Sequence, residues 1–367
     1  MSQSVFRVIA VGDLQLGDSP TCVGFGFASR YGPDALLDVL DDVTPTLAGA
    51  DLVFGNLEVP LSTRGRRSGS LSSLQLRGDP EYASALRAAG FTVLNVANNH
   101  AVQHGVEVFH DSVNAVQRAG IAVCGVRGSA PWSSAPVTIS SAGRRVGMLG
   151  YCLRPRQYGQ EAPPYAEGTP EGMRSDIERL RSESDAVVVS LHWGEEFVSI
   201  PSTDEAQLAR SLVDAGASVI LGHHPHVVRP VEAYGDGLIA YSLGNLVGDM
   251  IWYPPFRTGA ILSVTLDGPV ARDAVVRGTS LRSDYRPQLT GIQTSAVPSG
   301  DLPVLEPGPY ARAIRDTWRR QRGAAYWYTV SRPWRFPPRI LAQLVARTLR
   351  NKLAGLVGGA TDEPGAS

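Results

Sequence analysis

Ser218-Val219-Ile220-Leu221-Gly222-His223-His224-Pro225-His226 is the stretch on which the reading of the fold turns. Its β-branched opening reads as a short buried strand, and the strand gives out into three histidines around a proline. In an open α/β sheet, ligand-bearing residues gather just beyond the C-terminal ends of the strands. The spacing of His224 and His226 also predicts a shared direction, because alternate residues of an extended backbone point the same way. His223 then points elsewhere, as a supporting or substrate contact.

The same arrangement recurs outward from this stretch. Ala186–Leu191 is apolar enough for a strand buried on both faces, and it ends in His192-Trp193-Gly194. Phe91–Ala97 ends in Asn98-Asn99-His100, Val5–Val11 in Gly12-Asp13, and Asp51–Leu57 in Glu58. Five of the seven histidines and two carboxylates therefore fall at strand ends. A buried histidine needs a partner, since an unpaired polar group costs a few kcal/mol. Imidazole, carboxylate and a neutral amide together make the donor set of a multinuclear metal site. Asn98 or Asn99 would equally cap a helix beginning at Ala101, and capping is compatible with ligation.

Between these points the chain alternates. Helical apolar spacing covers Asp34–Ala48, Glu81–Ala89, Gly105–Ala119, Glu171–Arg181 and Asp204–Ala215. Further strands are expected at Ile121–Cys124, Val137–Ser140 and Arg145–Tyr151. Alternation of this kind predicts an α/β fold. Arg154–Thr169 reads as a Pro/Gly-rich loop, and Val228–Val276 as successive strands with a hairpin turn at Gly235-Asp236-Gly237. The division expected is a catalytic domain over 1–290 and a C-terminal extension over 291–367. The extension holds an Arg- and aromatic-rich segment, Tyr310–Phe336, then a basic amphipathic helix, Pro338–Val357, then a tail, Gly358–Ser367, expected to be disordered. Ile340, Leu341, Leu344, Val345, Leu349, Leu353 and Leu356 share the apolar face of that helix; Arg339, Arg347, Arg350 and Lys352 lie elsewhere on it. Docking on its own domain or on a sister subunit in a homodimer is the expected use of that face. A reversible membrane-surface contact is the alternative.

Composition removes other classes. The 367 residues carry a net charge of −1, which gives no support to a nucleic-acid partner. Of 34 basic residues only Lys352 is lysine, so a Schiff-base lysine or a P-loop is not expected. Cys22, Cys124 and Cys152 are odd in number and far apart, which fits a reducing compartment. No run reaches the roughly 18 apolar residues of a transmembrane helix, and the opening Met1-Ser2-Gln3-Ser4 leaves no room for a signal peptide. A cytoplasmic location is expected.

Taken in order, Gly12-Asp13, Asn56-Leu57-Glu58, Ala97-Asn98-Asn99-His100, Leu191-His192-Trp193-Gly194, Gly222-His223-His224-Pro225-His226 and Tyr241-Ser242-Leu243-Gly244-Asn245 resemble the CapA family of bacterial capsule-synthesis proteins. That family is a branch of the calcineurin-like metallophosphatases associated with poly-γ-glutamate synthesis. The resemblance covers about Val8 to Asp249. It implies a four-layer α/β/β/α sandwich with a dinuclear metal site between the ends of two sheets. Carried over, it makes Asp13, Asn99, His192, His224 and His226 metal ligands and His100 a catalytic histidine off the metal. Two positions depart from the superfamily pattern. Gln15 stands where an imidazole is usual, and Asn56 where the bridging carboxylate is usual, so Glu58 is taken as the substitute bridge. The second metal position (Glu58, Asn99, His192, His224) is then better furnished than the first (Asp13, Glu58, His226).

One or two divalent ions (Mn, Fe or Zn) are the cofactors implied. Asn56, His223, Glu196, Arg154, Arg156 and Asn245 are the candidates for substrate contact. Arg154 and Arg156 would clamp a carboxylate or phosphate if they are not simply surface arginines. The reading reached is a metal-dependent hydrolase or transferase acting on a phosphoryl or γ-glutamyl, peptide-like amide group, in polymer or secondary-metabolite synthesis. The substrate would be a small or peptide-like anion. A non-catalytic accessory subunit of a poly-γ-glutamate-type synthase and a plain phosphodiesterase are the alternatives.

Overall fold

The computed structural model describes residues 5–65, 70–130, 132–159 and 161–346. Its strands are β1 (Phe6–Leu14), β2 (Leu52–Leu57), β3 (Val93–Asn95), β4 (Ala122–Cys124), β5 (Val137–Ser141), β6 (Arg144–Cys152), β7 (Ala186–His192), β8 (Val219–His223), β9 (Val231–Tyr234), β10 (Gly237–Ala240), β11 (Asn245–Val247), β12 (Thr258–Asp267), β13 (Val270–Leu281), β14 (Pro287–Thr294) and β15 (Val297–Pro298). Two sheets result. One runs β14-β13-β12-β1-β2-β3-β4 with β11 against the end of β1, and the other runs β15-β9-β10-β8-β7-β6-β5.

The centre of each sheet is parallel: β1 to β4 in the first, β6, β7, β8 and β10 in the second. Every residue of β7 is buried, as expected of a strand covered on both faces. Val8, Phe54 and Leu262 from one sheet meet Met148, Val188 and Leu221 from the other in the middle core. Helix Val106–Arg118 covers the first sheet's outer face with Phe109, Val113 and Val116. Helices Pro170–Arg181 and Thr203–Asp214 cover the second with Met173, Ile177, Leu180, Ala209 and Leu212. The four layers are therefore α/β/β/α. Parallel strands joined through outer helices send their C-terminal ends to one edge, and the site lies there.

Asp34–Ala48 departs from the expected single helix. It forms a 3-10 turn at Pro33–Ala35, one turn at Leu36–Val39 and another at Thr44–Leu47. Pro45 has no N–H to give to a continuous helix, and both the amide and the hydroxyl of Thr44 bond the carbonyl of Leu40 instead. Leu36, Val39, Leu40, Val43 and Leu47 are still buried. The spacing located the buried face although the path between its residues is broken.

In the C-terminal part the end of β14 and then β15 are followed by a 24-residue helix, Pro307–Val330, whose prolines fall in the first turn where no intrahelical N–H is needed. Residues 338–346 are helical again, and Ile340, Leu341 and Leu344 pack on Val23, Leu71 and Phe336. Arg347, Leu349, Arg350, Lys352, Leu353, Leu356 and the tail Gly358–Ser367 lie outside the described residues. No helix among the described residues is long and apolar enough to cross a membrane.

Helix Thr203–Asp214, which backs the second sheet, is set by a reciprocal cap. Ser202 Oγ accepts from the amide of Glu205 (3.2 Å), and Glu205 Oε2 accepts from the amide of Ser202 (2.7 Å). Ser202→Ala is expected to cost about 1 kcal/mol, read as a lower urea midpoint with an unchanged slope.

Candidate metal centre

Six side chains from five strand ends meet at the shared edge. Asp13 is in the last turn of β1, Glu58 follows β2, Asn99 lies in the turn after β3, His192 ends β7, and His224 and His226 follow β8. All six are buried. Gly12 makes the approach of β1 possible: a Cβ there would lie 2.1 Å from the carbonyl oxygen of Gly244, while the amide of Asp13 donates to that same oxygen. The Gly12-Asp13 and Leu243-Gly244-Asn245 stretches thus fold against each other.

Asp13 is held from several sides. Its Oδ1 accepts from Asn56 Nδ2 (2.9 Å), and Asn56 Oδ1 in turn accepts from Asn95 Nδ2 (2.8 Å). Its Oδ2 is 3.3 Å from His226 Nδ1, and its Oδ1 is 3.2 Å from His223 Nδ1 without the alignment of a hydrogen bond. Burial works against the Asp13 carboxylate, yet His223 and His226 hold its pKa well below the usual range. Glu58 goes the other way: burial, then the charge of Asp13, push its pKa well up. Burial would depress His226, but Glu58 at 3.3 Å and Asp13 push it up to about 10. Burial holds His192 and His224 well below their usual pKa, in the neutral form that ligates metals.

The donor atoms fit a cation. Both oxygens of Glu58 and both ring nitrogens of His224 are buried with no hydrogen-bond partner among the described residues. Uncompensated burial of that kind costs several kcal/mol, which coordination relieves. Glu58, His224 and His226 form one group with ligand atoms within 4.8 Å of one another, and Asp13, Glu58 and His192 form a second. Glu58 belongs to both, the position a bridging carboxylate would take. These groups cut across the division implied by the resemblance, since His192 goes with Asp13 and His226 with His224. Asn99 Oδ1 lies 2.8 Å from His192 Nε2, so the amide is at the same spot.

The reason His224 and His226 converge differs from the one expected. β8 ends at His223, and His224 and His226 have φ of 94° and 57°. They sit in a strained turn, so strand alternation does not aim them; non-glycine residues hold such φ values where the surroundings enforce them, commonly at functional sites.

A cavity of about 230 Å³ opens beside this cage, with His100, His226, Glu196 and Gln15 among its lining. His100 Nδ1 is 2.9 Å from Gln103 Oε1, an acceptor, which assigns the proton to Nδ1 and leaves a lone pair on Nε2. Burial pushes the His100 pKa down to about 4. Burial also raises that of Glu196.

The remaining candidates fall elsewhere. Asn56, His223 and Asn245 are enclosed behind the cavity; Asn56 steadies Asp13, His223 lies against Asp13 and Phe54, and Asn245 Oδ1 is 3.0 Å from His226 Nδ1. Arg154 is occupied by Glu195 (2.8 Å), and Arg156 pairs with Glu167 (2.6 Å). Neither arginine lines the cavity. Residues not expected at the site also line the cavity. Trp318, Gln321, Arg322 and Ala325 come from helix Pro307–Val330, and Phe197 and Trp252 from loops. The i, i+3, i+4, i+7 spacing of the first four was the available signal. Gln103, three residues beyond His100, was another.

The fold and cage together define a layered α/β protein with a candidate two-metal centre at the shared edge of its sheets. The family model of bacterial capsule synthesis protein PGA_cap matches residues 7–250, and the chain belongs to that family. It is 33% identical over 251 residues to the capsule biosynthesis protein CapA of Bacillus anthracis, covering 66% of this chain and 59% of that protein. It is 30% identical over 255 residues to the PGA biosynthesis protein CapA of Bacillus subtilis (strain 168), covering 68% of this chain and 65% of that protein. The match thus spans less than two thirds of either relative. Among solved structures, a hypothetical protein from Thermus thermophilus aligns with a TM-score of 0.45 at 17% identity, covering 74% of this chain and 98% of that one. A 5'-nucleotidase from Candida albicans aligns with a TM-score of 0.44 at 10% identity, covering 88% of this chain and 59% of that one.

Proposed function

We propose that this chain is a metal-dependent hydrolase or acyl transferase of poly-γ-glutamate-type metabolism, acting on a γ-glutamyl or related peptide-like amide. The observation that carries the reading is the Glu58 carboxylate and His224 imidazole, buried without hydrogen-bond partners among the described residues, beside a cavity that also exposes His100. Asp13, Glu58, Asn99, His192, His224 and His226 would hold one or two divalent ions of the Mn, Fe or Zn type. A cation there supplies Lewis acidity toward a carbonyl or phosphoryl oxygen and toward water.

The protein's own part is to exclude solvent and to move a proton. His100 Nε2, with Nδ1 tied to Gln103, accepts a proton at the cavity wall and returns it to the departing amine or alkoxide. Asn99 Nδ2, 3.4 Å from that nitrogen and 3.1 Å from Gln157 Oε1, limits the tilt of the ring. Asn56 and Asn95 keep Asp13 in place from behind.

The test is metal analysis of protein purified without chelator, followed by a screen of γ-glutamyl amides and phosphoesters. One or two divalent ions per chain and chelator-sensitive release of amine from a γ-glutamyl amide are expected. Turnover of phosphoesters alone would replace this reading with a phosphodiesterase. A metal-loaded protein inert toward both classes would point to an accessory subunit, the reading that Gln15 in place of an imidazole favours.

A further inference from the structure

We infer that Arg322, on the helix Pro307–Val330, is the residue that recognises the anionic group of the substrate, a carboxylate of the glutamyl chain. The inference rests on the amide-directed reading above. Among the described residues Arg322 is the one permanent cation lining the cavity that His100 and His226 also line. It makes no ion pair among the described residues, whereas Arg154, Arg156 and Arg229 are each committed to a glutamate. A guanidinium held at a cavity wall without a counter-ion has its planar fork free for a carboxylate.

The wall that presents it is fixed. The Arg322 guanidinium lies 5.4 Å from the ring of Trp318, one helical turn earlier. Trp318 meets Phe197 edge-on at 5.0 Å, and Phe197 packs on Phe256 at 4.3 Å and stands 6.2 Å from the ring of His226. An aromatic column therefore runs from the candidate ligand His226 up to Arg322. The buried Gln321 accepts from Trp252 Nε1 at 3.4 Å and locks the same helix turn. At its N-terminal end the helix is tied down by Tyr310, whose hydroxyl accepts from the amide of Glu195 and from Arg229. Stacking on Trp318 limits the freedom that the arginine would lose on binding, so more of each contact is realised as affinity.

The chemistry of a γ-linked glutamyl chain suits this layout. Each unit carries its amide in the main chain and a free α-carboxylate beside it, so a site that cleaves or forms the amide meets a carboxylate on every neighbouring unit. Arg322 lies beyond residues 7–250, the part matched by the family model. Selection by charge is thus placed on an element the family match does not include, while the metal-binding side chains lie within it.

The test is equilibrium binding, measured by calorimetry on the full chain with manganese present, of tetra-γ-glutamate and of its fully α-amidated counterpart. Wild-type protein is expected to prefer the charged oligomer at least about tenfold. Arg322→Gln should weaken it by roughly 10–100-fold while leaving the amidated oligomer and the metal content unchanged. Arg322→Lys should fall between them, because a lysine keeps the charge and loses the fork. Equal loss for both oligomers in Arg322→Gln would make the residue part of the wall only and overturn the inference. A wild-type protein without preference for the charged oligomer, or binding neither, would overturn it as well. In those cases the turnover screen still decides the amide-directed reading on its own, since that screen uses no Arg322 variant.

Discussion

His224→Ala protein is expected to leave purification with most of its metal gone and its fold intact. Both imidazole nitrogens of His224 are buried without a partner, so the side chain contributes no hydrogen bond among the described residues that its removal would break. Its φ of 94° is a conformation that alanine resists as histidine does, so the substitution adds no new backbone strain. Loss of a group that supports a ligand weakens metal affinity by roughly 10–100-fold, and loss of a ligand should exceed that. The companion variant is Asn99→Ala, which removes the amide 2.8 Å from His192 Nε2 from a different loop. Metal content by plasma emission is the first readout. The second is the melting temperature with and without chelator, because a cation that binds only the folded state raises stability in proportion to the logarithm of one plus its free concentration over Kd. Wild-type protein should lose stability on chelation, and both variants should be indifferent to it. Unchanged metal content in both variants would remove this cage as the metal site.

What the sequence made legible, and what it hid, follows from the kind of interaction involved. The apolar runs before Asp13, Glu58, His192 and His223 became strands because a stretch buried on both faces has to be largely apolar, and the charged or imidazole side chains come where each run gives out. The cage residues were legible for that reason. How His224 and His226 are aimed was not, because their left-handed backbone depends on the surrounding fold and leaves no periodic trace. The role of Asn56 was hidden too. Its position suggested substrate contact, whereas its amide spans Asp13 and Asn95, a relation visible only once β1, β2 and β3 lie side by side. A helical, aromatic- and Arg-rich C-terminal extension was legible, but the bounds of helix Pro307–Val330 and its place at the cavity wall were not. That helix buries only Gln321 and Tyr328, and the rest of its hold on the domain comes from partly exposed aromatic and arginine side chains that carry no apolar stripe.

His100→Asn separates a proton-handling role from a metal-binding one. Asparagine is neutral and shorter, and it retains an amide able to bond Gln103, so the turn that begins with the bond from the His100 amide to Asn98 Oδ1 (3.0 Å) should survive. It has no nitrogen that takes up and releases a proton. The variant should therefore keep wild-type metal content while losing roughly 10²–10⁴-fold in turnover of whichever γ-glutamyl amide or phosphoester the screen identifies. The comparison with Asn99→Ala is what gives the result meaning, since the two residues are adjacent and Asn99 Nδ2 lies 3.4 Å from His100 Nε2. If metal falls in His100→Asn as far as in Asn99→Ala, His100 is a ligand and the proton must be carried elsewhere. Glu196 is then the group to test next, because it lines the same cavity and burial already favours its protonated form. If metal is retained and turnover falls less than tenfold, neither role holds. His100 would then only shape the wall beside His226.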